Sequence, residues 1–138
     1  MISTRGRYAI RVMIDLAQNN AGSCIPLKDI AERQGISKKY LEIIVRDLVN
    51  GKLVTGISGK GGGYKLSRKP EDIPVGEVIE LTEGKIGSVA CLENGAEPCP
   101  RADMCETLPM WMELERLIFG YLNGLTLEDV INGNVSAK

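Results

Sequence analysis

The sequence predicts a mainly α-helical fold carrying one small β-hairpin, and three observations support that expectation. Apolar residues recur at helical spacing in the first half, at Ala9, Val12, Met13, Leu16 and Ala17 and again at Leu41, Ile44, Val45 and Leu48. Two short β-type runs, residues 53–57 and 64–67, flank the glycine-rich tip Ser58-Gly59-Lys60-Gly61-Gly62-Gly63. A wide apolar stripe, Trp111, Leu114, Leu117, Ile118, Tyr121 and Leu122, marks a long helix towards the C-terminal end.

Asn19, Asn20 and Gly22 end the first helix. After Pro26, Leu27, Ile30 and Ala31 repeat the same spacing over a short second helix that runs to about Arg33. Gln34-Gly35-Ile36-Ser37 is a tight break, with Gly35 free to take a positive φ and Ser37 placed to cap the third helix. That third helix turns Lys39, Glu42, Ile43 and Arg46 outward, opposite its buried residues. Short helix, glycine-containing turn and polar-faced helix make a helix-turn-helix, and the basic glycine-rich hairpin behind it is a wing. The hairpin tip has neither Rossmann nor P-loop spacing and no helix follows it, which argues against a nucleotide cradle. Residues 70–74 read as a linker and 75–81 as a short helix. A polar loop follows over about 90–106, then the long helix over about 108–123. Thr126 and Asp129 are spaced as a helix start, so 127–131 should add a last helical turn before a frayed tail. The chain thus divides into a winged helix-turn-helix unit, 1–82, and a unit of loop plus dimerisation helix, 83–138.

At 138 residues the length suits one domain with a small attachment. No apolar run approaches the ~20 residues of a membrane span, and the first residues lack a signal-peptide core. A cytoplasmic protein is expected, with thiols kept reduced. Charge is unevenly placed: residues 1–70 hold 13 basic and 5 acidic side chains, net +8, and residues 71–138 hold 4 and 13, net −9. A basic half suits a surface facing phosphates. The expected partner is a double-stranded DNA operator, contacted by Lys28, Ser37, Lys38, Lys39, Tyr40, Glu42, Ile43 and Arg46 and, in the wing, by Ser58, Lys60 and Gly61. Helix-turn-helix modules usually work as two-fold dimers, so Trp111, Leu114, Ile118 and Tyr121 are expected to pair two subunits.

Cys91, Cys99 and Cys105 lie in a loop containing Gly95, Pro98, Pro100 and the acidic Glu93, Glu97, Asp103 and Glu106. Nothing there has a helical or strand period, so the cysteines need a reason other than packing. An iron-sulfur cluster, zinc and a thiol switch all answer to three such cysteines, although structural zinc sites draw ligands two to four residues apart, closer than here. Cys24 stands apart, between the first two helices, and reads as a small buried hydrophobe. With no histidine and no nucleophile beside a base, the chain offers no catalytic constellation.

The stretches Ser3-Thr4-Arg5-Gly6-Arg7-Tyr8-Ala9-Ile10, Ile30-Ala31-Glu32-Arg33-Gln34-Gly35-Ile36-Ser37, Tyr40-Leu41-Glu42, Gly61-Gly62-Gly63-Tyr64 and Val75-Gly76-Glu77-Val78-Ile79, with three cysteines followed by Trp111, resemble the IscR/NsrR/CymR family of winged-helix regulators. The likeness covers nearly the whole chain. It implies a homodimeric repressor that senses through an iron-sulfur cluster held by Cys91, Cys99 and Cys105, of the 2Fe-2S type with 4Fe-4S as the alternative. It points to genes of iron-sulfur cluster assembly as targets. A thiol-switched or nitric-oxide-responsive regulator of cysteine or stress genes is the alternative within the same family. In cluster-binding members a histidine three residues after the last cysteine, or an aspartate near the start of the first helix, completes the site. Those positions are Leu108 and Arg7 here, and an arginine is no metal ligand. The fourth ligand is left open among Glu93, Glu97, Asp103 and Glu106, Cys24, the other subunit and a small exogenous molecule. Relatives also carry glutamine at the position of Ile43 and arginine at that of Ser58.

Overall fold

The computed structural model describes residues 2–20, 22–84, 89–92 and 95–137. In chain order the elements are α1 (Thr4–Gln18), α2 (Leu27–Gln34), α3 (Lys38–Asn50), β1 (Val54–Ile57), β2 (Gly63–Leu66), α4 (Val75–Glu83), α5 (Leu108–Asn123) and α6 (Leu127–Asn132). A mainly helical chain with one hairpin is what the periodicities predict.

One core joins α1 to α4. Its fully buried members include Met13 and Leu16 from α1, Ile30 from α2, Leu41, Ile44 and Leu48 from α3 and Val78 from α4. The α1–α2 angle is held by a charge inside that packing. Asp15, 1% exposed, accepts from Arg33 Nε at 3.0 Å, Arg33 Nη2 at 2.8 Å and Gln34 Nε2 at 2.8 Å. A buried carboxylate is tolerable because a forked guanidinium and an amide replace its water. Its hydrogen bonds hold the Arg33 guanidinium pKa above the ordinary arginine value.

The hairpin pairs antiparallel from Val54↔Leu66 to Ile57↔Gly63. Ile25, just before α2, adds an isolated antiparallel bridge to the hairpin, giving and accepting a 2.8 Å bond with Tyr64. Glycine is required at position 63, because a Cβ there would occupy the place of the Ile25 carbonyl. The wing is therefore tied to the helical core and not only to α3.

The structure departs from the sequence reading at residues 70–74 and at Cys24. Residues 70–74 are not a spacer: Pro70–Asp72 form a 3₁₀ turn and Ile73 is fully buried. The reason is a ladder invisible in a local reading, in which Val75 donates to the Leu125 carbonyl at 2.8 Å and Leu127 to the Ile73 carbonyl at 3.0 Å. Leu125 and Leu127 thereby join the core of the winged-helix region, and α6 is fastened there by a capping box between Thr126 and Asp129. The apolar stripe of α5 also divides. Leu108, Trp111, Ile118, Phe119 and Leu122 are half-buried, whereas Met110, Leu114, Leu117 and Tyr121 form an exposed row at i, i+4, i+7 and i+11. Cys24 is half-buried, less enclosed than expected.

Candidate DNA interface and cysteine loop

Ser37 begins α3 as anticipated, its hydroxyl accepting from the Tyr40 N–H at 3.2 Å. Before it, Gly35 takes φ 65° and ends α2 by donating to Ala31 O at 2.9 Å. The turn is braced from α1. Arg11 donates to Gln34 Oε1 at 3.0 Å and to the Gln34 carbonyl, while its guanidinium lies 5.1 Å from the Tyr8 ring centre. Tyr8 meets Tyr40 edge-on at 5.8 Å. Tyr40 thus belongs partly to the brace and is half-buried. A further ion pair, Arg5 to Asp47, ties α1 to α3.

Lys28, Lys38, Lys39, Glu42, Ile43 and Arg46 are exposed, as are Ser58, Lys60 and Gly61 at the wing. Ile43 is 41% exposed, a large apolar side chain kept in water on a charged face. Lys60 sits between Gly59 and Gly61, whose φ values of 91° and 78° favour glycine, and Gly62 closes the tip by donating to Gly59 O at 3.0 Å. A groove of about 610 Å³ runs between α3 and the wing, lined among others by Lys38, Glu42, Arg46, Asn50, Gly56 and Tyr64. Asn50 and Tyr64 were not among the residues expected here. Asn50 continues the i, i+4 row of Lys38, Glu42 and Arg46 closely enough to have been found; Tyr64 reaches the groove only through hairpin pairing.

Cys91 lies in a 3₁₀ turn, Ala90–Leu92, and is exposed. Cys99 and Cys105 are half-buried on either side of the turn Ala102–Met104, with Ala102 donating to Cys99 O at 3.0 Å. All three thiols are free, and among the described residues no three Cys, Asp or Glu side chains converge into a preformed metal cage. Cys105 is the best prepared. Thr107 Oγ1, 3.3 Å from its sulfur, lowers its pKa most, helped by the backbone N–H groups of Thr107 and Leu108 at the start of α5 and by Arg101. Of the carboxylates expected near the cysteines, Glu97, Asp103 and Glu106 are exposed, and Glu93 lies outside the described residues. Glu115, on α5, is by contrast buried.

Loop and DNA face meet through α4. Glu83, at its last turn, accepts from Ser3 N at 3.0 Å, from the Ser3 hydroxyl and from Gly6 N at 2.9 Å. It caps the start of α1, whose own Ser3 side chain makes no cap. Past Gly84 the chain goes on into the cysteine loop.

A braced helix-turn-helix, a cationic glycine wing beside it and a thiol-bearing loop leading into an apolar helix define a winged-helix DNA-binding regulator. The chain belongs to the Rrf2 family, whose description is iron-dependent transcriptional regulator and whose pattern matches residues 2–133. It is 38% identical over 131 residues to the HTH-type transcriptional regulator IscR of Escherichia coli, spanning 95% of this chain and 80% of that protein. Among solved structures it is similar to CymR, the global cysteine regulator of B. subtilis, at 35% identity and TM-score 0.76, covering 94% of this chain and 95% of that one. It is also similar to T. potens IscR, at 33% identity and TM-score 0.76, covering 100% and 93%. The oxidised form of Staphylococcus aureus CymR matches at 34% identity and TM-score 0.72, covering 94% of each. The protein is a transcriptional regulator and not an enzyme. Among the described residues no helix is long and apolar enough to cross a membrane.

Proposed function

We propose that this protein is a cytoplasmic, homodimeric repressor that reads iron-sulfur status through a cluster on Cys91, Cys99 and Cys105 and controls genes for iron-sulfur cluster assembly. The 2Fe-2S form is favoured on the likeness to IscR, with 4Fe-4S as the alternative. The observation that carries the reading is three unpaired thiols in a loop entered from the helix that caps α1 and left through the helix with the exposed apolar row. Thiolates are the donors iron-sulfur clusters favour. When bound, the cluster supplies a centre sensitive to oxygen, nitric oxide and iron supply.

The protein's own groups do the rest. Arg46 meets guanine or phosphate, Glu42 accepts from a cytosine amine and Ile43 packs on a thymine methyl as α3 enters the major groove. Lys60 and the glycine backbone meet phosphate or the minor groove. Met110, Leu114, Leu117 and Tyr121 pair two α5 helices, so the operator is an inverted repeat with half-sites about one helical turn, or a multiple of it, apart. Cys91, Cys99 and Cys105 would hold the cluster in the loop that follows α4, and Glu83 ties the end of α4 to the start of α1, which braces the turn before α3, so a change in the loop would have a path to the DNA face.

Anaerobic reconstitution with iron and sulfide, followed by Mössbauer spectroscopy and operator binding, tests this. Wild type should take up iron, each single Cys→Ala variant should lose it, and the loaded and metal-free forms should differ in operator affinity. Retention of iron by all three variants, or equal affinities, overturns the cluster reading. A second reading rests on the lowered pKa of Cys105, which suits a thiol switch. It requires a disulfide within the loop under mild oxidation and an operator affinity that follows it.

A further inference from the structure

The groove between α3 and the wing brings Lys38, Glu42, Arg46 and Asn50 to one wall and Gly56 and Tyr64 to the other. Tyr64 is the fixed point of the second wall. Its N–H and carbonyl both bond to Ile25 at 2.8 Å, and its ring lies over Gly56, where a Cβ would stand 3.1 Å from Tyr64 Cε1 and 4.0 Å from Val49 Cγ2. The ring is therefore level with Val49, at the end of the groove where Asn50 comes next and Arg46 lies one turn back. Asn50 is exposed, and among the described residues neither its side chain nor the Tyr64 hydroxyl has a hydrogen-bond partner in the protein. The ion pairs of the described residues, Arg5–Asp47, Arg33–Asp15, Arg68–Glu77 and Arg116–Glu113, leave out Arg46. Glu42 stands four residues before it, the spacing at which helical pairs ordinarily form. A cation and two neutral donors are thus gathered at one end of the groove, and what would satisfy all three is an anion.

A helix in the major groove and a wing reaching past the edge of that groove have one sugar-phosphate strand between them. We propose that Arg46, Asn50 and Tyr64 form a clip on that strand, in which the Asn50 amide and the Tyr64 hydroxyl donate to one phosphate beside the Arg46 guanidinium. The assignment rests on the reading of α3 and the wing above and deepens it, by giving Arg46 to phosphate and not to guanine. Asn50 lies about 12 Å beyond Glu42 along the helix axis, more than a Debye length at physiological salt, so that carboxylate repels the clipped phosphate little and is left to face bases. Because Ile25 ties Tyr64 to the helical core, this donor is in place before DNA arrives, unlike Lys60 at the wing tip. A phosphate contact carries no sequence information; the clip sets how α3 is seated in the groove.

The test measures binding of wild type, Tyr64→Phe, Asn50→Ala and Arg46→Gln across salt concentrations, to a duplex that the protein selects from a random-sequence pool and to duplexes of unrelated sequence. Tyr64→Phe keeps the ring over Gly56 and removes only the hydroxyl, so its urea midpoint should stay that of wild type. Its affinity, and that of Asn50→Ala, should fall about tenfold on every duplex with an unchanged salt slope, because a neutral donor releases no counterion. Arg46→Gln should also weaken binding on every duplex, and should reduce the slope by about one. Single methylphosphonate replacements along the selected duplex should reveal one position per half-site that weakens wild type and adds nothing in Tyr64→Phe. Wild-type affinity in both Tyr64→Phe and Asn50→Ala, or an Arg46→Gln loss confined to duplexes with one particular base pair, overturns the clip. If Lys60→Ala still weakens binding in that case, the reading of α3 and the wing stands without it; if Lys60→Ala also binds as wild type, that reading falls too.

Discussion

Glu83 and Gly6 should behave as one unit, and a double-mutant cycle makes the claim quantitative. Glu83 satisfies two backbone N–H groups at the start of α1, Ser3 at 3.0 Å and Gly6 at 2.9 Å, as well as the Ser3 hydroxyl. Losing a helix cap costs about 1 kcal/mol, and a carboxylate near the positive end of a helix adds about 0.3–1 kcal/mol. Glu83→Ala should therefore cost about 1–2 kcal/mol. Position 6 is glycine because a Cβ there would stand 2.5 Å from Glu83 Oε1 and 3.0 Å from its Cγ, with nothing but this side chain among its nearest neighbours. In wild type Gly6→Ala must displace the cap, so it should destabilise even though alanine is the better helix former by about 0.5–1 kcal/mol. In the Glu83→Ala background the obstruction is gone, and the same substitution should stabilise by that amount. Urea unfolding followed by far-UV circular dichroism, at one protein concentration for all four proteins, reads the coupling directly, with about 1–2 kcal/mol expected. An effect of Gly6→Ala that is equal in the two backgrounds would refute the reasoning.

Lys52 holds φ 62°, a left-handed conformation that costs a side-chain-bearing residue about 1 kcal/mol. Lys52→Gly should raise the urea midpoint, by about 0.5–1 kcal/mol in stability with an unchanged m-value. Leu117 is 54% exposed in the outer row of α5, so Leu117→Glu should give monomers in sedimentation and weaken operator binding. A wild type that is itself monomeric at micromolar concentration contradicts that prediction. Lys60→Ala should weaken binding on all DNA sequences and reduce the slope of log affinity against log salt by about one, whereas an unchanged slope removes Lys60 from the interface.

The sequence by itself determined the local features of this protein. The buried side of α3, the Ser37 cap, the left-handed Gly35 and the hairpin around Lys60 follow from periods of 3.6 and 2 and from the conformational limits of single residues, all within a few positions of chain. The three cysteines were legible for the same reason, since a thiol in a polar, aperiodic loop stands out without any fold. What only the tertiary structure decided depends on residues far apart in the chain. Ile73 becomes core because Leu125 and Leu127 ladder beside it, and the α5 stripe divides because Phe119 and Leu122 pack against that core while Leu114 and Leu117 stay exposed. Glu83 becomes the cap of a helix 77 residues away, and Gly6 leaves room for that contact. Glu115 in the sequence is one more acidic residue among the thirteen of the second half; burial, with one oxygen unsatisfied, is what separates it from the rest. Burial and hydrogen-bond satisfaction are set by which surfaces meet in space, and no local period encodes that.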